Sequence, residues 1–119
     1  MKKTLILGAT TNPSRYAYLA ANRLVNAGHQ IINVGIKSGQ VAGEPIQSFE
    51  GFHLDIDTIT LYLGLQNQKE YYKYILETNP KRIIFNPGTE NPELEELAQK
   101  QGIEVIEACT LVMLATNQY

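Results

Sequence analysis

A three-layer α/β sandwich is the fold this sequence predicts, and three observations predict it. Short β-rich runs alternate with helix-patterned segments along all 119 residues. Several of those runs are apolar without a break, as in strands buried on both faces. Connections of this spacing make right-handed crossovers, which put parallel strands in the middle and helices on both faces. We expect five parallel strands in the order 3-2-1-4-5, with a ligand crevice at the carboxyl ends of strands 1 and 4.

The elements follow in order. Residues 4–7 form the first strand. Residues 14–27 form a helix, with Ala17, Ala20, Ala21 and Leu24 at helical spacing and Gly28 as the stop. Residues 30–34 are the second strand, and 37–50, with two glycines and a proline, are irregular. Residues 58–63 are the third strand and 66–78 a helix using Tyr72, Ile75 and Leu76. The fourth strand is 82–85, followed by a helix over 92–101 that opens after Asn91 and closes at Gly102. Residues 103–106 are the fifth strand, and 110–119 a short final helix or tail.

Length and charge narrow the function. The chain, residues 1–119, makes one domain, with no room for a separate substrate domain. A net charge of -2 gives no overall attraction to nucleic acid or an anionic membrane. No apolar run approaches the ~20 residues of a spanning helix, and Met1-Lys2-Lys3 leads into a strand instead of a signal peptide. We therefore expect a cytoplasmic protein. The single cysteine, Cys109, excludes an internal disulfide and a cysteine-based zinc cluster.

Chemistry is expected at Gly8-Ala9-Thr10-Thr11-Asn12-Pro13-Ser14-Arg15, directly after the first strand. Asn12 suits an N-cap and Pro13 the first helical position, where a missing N–H costs nothing. Free N–H groups and the positive end of a helix dipole favour phosphate. Arg15 in the first turn runs against the dipole's preference for acids, which favours an anionic ligand.

No dinucleotide fingerprint marks the nucleotide. Gly8 fits one glycine of G-x-G-x-x-G, but Thr10 and Pro13 fill the later places. The second strand ends Asn33-Val34-Gly35-Ile36-Lys37, a lysine where an NAD site wants an acid. That lysine suits a phosphate carried on the ribose. The sequence holds no Walker pattern ending Gly-Lys-Ser/Thr, so ATP or GTP hydrolysis is not expected. It also shows no nucleophile beside a base and no metal-ligand spacing, so no catalytic residue is predicted.

Taken together, the motifs resemble those of small stand-alone CoA-binding proteins, relatives of the CoA-binding domain of succinyl-CoA synthetase. The resemblance rests on Gly8-Ala9-Thr10-Thr11-Asn12-Pro13 with Arg15, then Tyr18 inside the helix. It continues through Val34-Gly35-Ile36-Lys37, Val41-Ala42-Gly43-Glu44, Tyr62, Asn86-Pro87-Gly88 and Cys109. It implies a Rossmann-like fold whose ligand is coenzyme A or an acyl-CoA, bound by those residues around the first loop. The partner is then a small molecule, with a homodimer or a partner enzyme as the protein associate. Two departures stand out. Gly35-Ile36 replaces the family's usual Asn-Pro, and Thr110-Leu111-Val112-Met113-Leu114 replaces a polar ending with an apolar one that packs on the sheet or a partner chain.

The residues alone leave two other classes open: an NADP-dependent oxidoreductase-type domain, and a ligand-free Rossmann-like interaction protein pairing through its tail. By packing alone, Cys109 is a small buried hydrophobe, and Tyr18 and Tyr62 are half-buried rings. Tyr71, Tyr72 and Tyr74 supply one core ring and two surface ones, and His29 and His53 lie on the surface.

Overall fold

The computed structural model describes every residue from Met1 to Tyr119 except Glu50 and Phe52. Glu50, the last residue of the stretch expected to be irregular, therefore lies outside the described residues. The strands are Thr4–Leu7 (β1), Ile31–Val34 (β2), Gln40–Val41 (β3), Glu44–Gln47 (β4), Thr58–Leu61 (β5), Arg82–Phe85 (β6) and Glu104–Glu107 (β7). The helices are Tyr16–Asn26 (α1), Tyr72–Thr78 (α2), Pro92–Lys100 (α3) and Thr110–Ala115 (α4).

The α/β sandwich stands, but the sheet differs from the expected one. Among the described residues it has seven strands in the order β3-β4-β2-β1-β5-β6-β7, not five in the order 3-2-1-4-5. The strand at Thr58–Leu61 lies beside β1, with Leu5 opposite Ile59 and Leu7 opposite Leu61. The place outside β2 belongs to β4, which pairs parallel with β2 and antiparallel with the two-residue β3. Sequence periodicity missed β4 because only Ile46 in it is buried and Pro45 interrupts it. With β4 counted, the six parallel strands run 3-2-1-4-5-6, the doubly wound nucleotide-binding order. The topological switch thus falls between β1 and β5, not between β1 and the Arg82–Phe85 strand.

The two faces of the sheet have different chemistry. Leu5, Leu7, Ile59, Leu61, Ile83 and Phe85 pack beneath α2 and α3 with Ile75, Leu94 and Ala98. The other face meets α1 through Ile6, Ile31, Ala17, Ala21 and Leu24, and Leu114 of α4 packs against it. That face also carries buried polar groups. Thr60 and Thr110 share a 2.8 Å hydrogen bond. Arg82 donates from Nε to Thr58 Oγ1 (2.8 Å) and from Nη2 to the Tyr119 carbonyl (3.0 Å). The apolar ending therefore packs onto its own chain, although Val112 stays 57% exposed.

Local chemistry moves two helix starts. The side chain of Asn12 accepts from Ser14 N–H (3.0 Å) and Ser14 Oγ (2.7 Å), and its carbonyl accepts from Arg15 N–H (3.1 Å). This side-chain turn competes with the helix, so α1 starts at Tyr16 with Arg15 as its N-cap. The helix expected over 66–78 is two 3₁₀ turns, Leu65–Asn67 and Lys69–Tyr71, followed by the shorter α2. Tyr71 and Tyr74 are both core residues, so two of the three rings are buried instead of one. His29 and His53 are half-buried, and Nδ1 of His29 accepts from Lys2 N–H (2.9 Å).

Candidate functional site

Two adjoining cavities, of about 470 and 560 Å³, run along the carboxyl ends of β2, β1, β5 and β6. Both are lined by Gly8, Thr10, Arg15, Tyr62 and Gly64, so they form one crevice over the switch point. Toward β2 its wall adds Ala9, Thr11, Asn12, Gly35, Ile36 and Lys37. Toward β6 it adds Ser14, Pro87, Gly88 and Thr89.

Two glycines set the floor. Gly8 has φ +103°, and a Cβ there would stand 3.0 Å from the Tyr62 carbonyl carbon. At Gly35 a Cβ would lie 2.5 Å from the Ala9 carbonyl oxygen. The strand ends therefore approach more closely than any side chain allows. The departure from Asn-Pro at Gly35 thus has a steric reason in this chain.

The loop after β1 is partly closed on itself. Gly8 and Ala9 both donate to the Val34 carbonyl, each at 2.9 Å, so those two N–H groups are not free for a phosphate. Asn12 N–H donates to Thr10 Oγ1 (3.1 Å). Among the described residues, the N–H groups of Thr10 and Thr11 have no protein acceptor. Both residues line the same cavity as the exposed Arg15. Lys37 is also exposed, across the loop beyond β2.

Of the other predicted site residues, Val34 contributes its carbonyl to that loop and is itself buried. Pro13 is exposed in the turn, and Tyr18 packs half-buried against the α1 side of the core. Neither lines the crevice. Asn86 is buried behind it, donating to Thr60 Oγ1 (2.8 Å) and the Leu61 carbonyl (2.9 Å) and accepting from Thr110 N–H (2.9 Å). It braces the crevice from below. Cys109 is half-buried at the start of α4 and also lies off the crevice wall. Among the described residues the buried Tyr62 hydroxyl has no hydrogen-bond partner, and burial pushes the pKa of its phenol up to about 12. It therefore remains a neutral donor across the physiological range.

Sequence reasoning missed the wall after β5. Gly64, Asn67 and Glu70 line the crevice there, and Gln68 holds the segment in place. The Gln68 side chain is fully buried and donates to the carbonyls of Leu63 (2.9 Å) and Thr89 (2.8 Å). Its Oε1 accepts from Asn91 Nδ2 (2.8 Å). One amide therefore ties together the walls that follow β5 and β6. A glutamine carries no sequence mark of such a role, since the type is usually exposed.

Known proteins share this fold. Residues 2–115 match the family model described as a CoA binding domain. A crystal structure of an uncharacterized protein superposes with TM-score 0.97 at 55% identity, covering 100% of this chain and 98% of that one. Two more distant structures share the fold. One, from Thermus thermophilus, has TM-score 0.87 at 21% identity, covering 99% of this chain and 90% of that one. The other, a hypothetical protein from Pyrococcus horikoshii OT3, has TM-score 0.83 at 21% identity, covering 97% and 82%. No curated protein matches the sequence.

Proposed function

The chain belongs to the CoA-binding domain family, and from that premise we propose that it binds coenzyme A or an acyl-CoA in the switch-point crevice, without catalysis of its own. The observation that carries this reading is that Arg15, Lys37 and the unpartnered N–H groups of Thr10 and Thr11 belong to residues lining one cavity. In this reading the pyrophosphate lies at Thr10 and Thr11 near the start of α1, with Arg15 over it. Lys37 at the end of β2 meets the phosphate on the ribose. The pantetheine arm then runs toward Gly64, Pro87 and Gly88. Such a protein would carry or sense the ligand in the cytoplasm, or present it to a partner enzyme or a second copy of itself.

A thermal-shift panel tests the assignment. CoA should raise the melting temperature, dephospho-CoA should raise it less, and NAD hardly at all, with NADP as the competing nucleotide. Ligand at a hundred times Kd adds about 2.7 kcal/mol, a measurable shift. Equal shifts from NAD and CoA would sink the proposal.

A further inference from the structure

The cavity that reaches the end of β2 is lined by two side chains that phosphate binding does not explain. Ile36 is 83% exposed, an aliphatic side chain left out of both core clusters, yet it lines the cavity. Glu70 lines the same cavity, and among the described residues its carboxylate joins no ion pair and accepts no hydrogen bond. Strand order puts the two on opposite walls: Ile36 follows β2 on one side of β1, and Glu70 follows β5 on the other.

A free carboxylate in a crevice for a polyanion repels its ligand unless it faces a donor. The proposed ligand offers few donors at this end. Its phosphates only accept, and the base carries an exocyclic amine. A flat base resting on an aliphatic side chain would cover the exposed Ile36.

We propose that Ile36 and Glu70 form a base-selective lip, in which Ile36 supports the purine face and the Glu70 carboxylate accepts a hydrogen bond from a 6-amino group. This rests on the CoA reading and adds its specificity: a 6-aminopurine is accepted, and a base whose amine is blocked is disfavoured. A site's polar group left without its partner is the strongest source of such discrimination.

The test uses calorimetric titration of the full chain with CoA and with 1,N6-etheno-CoA, whose amine is tied into a ring. The unmodified protein should bind CoA about tenfold more tightly, the effect of one charge-assisted hydrogen bond. Glu70→Ala should weaken CoA about tenfold and leave etheno-CoA within about twofold, while Glu70→Gln, which keeps an amide acceptor, retains part of the preference. An unchanged CoA to etheno-CoA ratio in Glu70→Ala overturns the lip, whether both affinities fall, as for a ribose contact, or both hold. If the unmodified protein binds neither compound, the CoA reading itself fails, a result distinct from loss of base selectivity. Glu70 is exposed and outside the core, so its variants fold.

Discussion

Asn12–Pro13 after β1 and Asn91–Pro92 after β6 are the same dipeptide at the same edge of the sheet, and they do opposite things. Asn91 is 2% exposed and caps the start of its helix: Oδ1 accepts from Leu94 N–H (3.2 Å), with Pro92 in the first helical turn. Its Nδ2 donates to Gln68 and to the Tyr72 hydroxyl (2.7 Å), and Glu95 returns a carboxylate oxygen to its N–H (3.1 Å). Every polar atom of that asparagine is used inside the protein. Asn12 is exposed and turns its side chain back on Ser14, which delays α1 and leaves N–H groups in the loop unpartnered. An internally completed cap is architecture. A cap replaced by a side-chain turn leaves backbone donors open, which the proposed CoA site uses for its phosphates.

Substitution at Asn91 should give the largest effect. Asn91→Ala removes a cap and strands Oε1 of buried Gln68, so unfolding in urea should show a loss of about 2–3 kcal/mol. A loss below about 0.5 kcal/mol would mean that the loop after β6 is as open as the one after β1.

The charges on the open side come next. Lys37→Ala should weaken CoA about tenfold in titration while dephospho-CoA is unchanged, because one phosphate loses its partner. Arg15→Ala should weaken both ligands alike. If Lys37→Ala penalises the two equally, the end of β2 is not meeting the ribose phosphate.

The smallest effect on folding belongs to Asn12. Asn12→Ala should change stability by no more than about 0.5 kcal/mol, as surface turns do, yet weaken CoA several-fold because the loop loses its preset shape. A stability loss matching that of Asn91→Ala would erase the contrast between the two loops.

The pair also shows what the sequence could reveal. Asn91–Pro92 obeyed the capping rule because Leu94 and its neighbours face a core that rewards helix from the first residue. Asn12–Pro13 carried the same signal, but Ser14 two positions on offered the side chain a local partner. β1, β2, β5, β6 and β7 were legible as β-rich runs. β4 was not, since a lone buried Ile46 beside Pro45 makes no pattern, and missing it misplaced β5 in the expected order. On the crevice, the β1 loop and Lys37 could be found from glycine, proline and charge. Gln68 and Glu70 could not, because their roles come from burial and from a neighbouring strand, neither of which is written locally.

Both outer strands of the sheet carry features that resist growth. One edge is β3, two residues long, with Pro45 in the strand behind it lacking an N–H to donate. The other is β7, bounded by the exposed Glu104 and Glu107. The neighbouring Glu95 carboxyl raises the Glu107 carboxyl pKa, and Glu90 adds to this crowded patch of negative charge. A second copy adding a strand at either rim would meet a stub or a like charge. Fibrous stacking is thereby discouraged at both ends of the sheet.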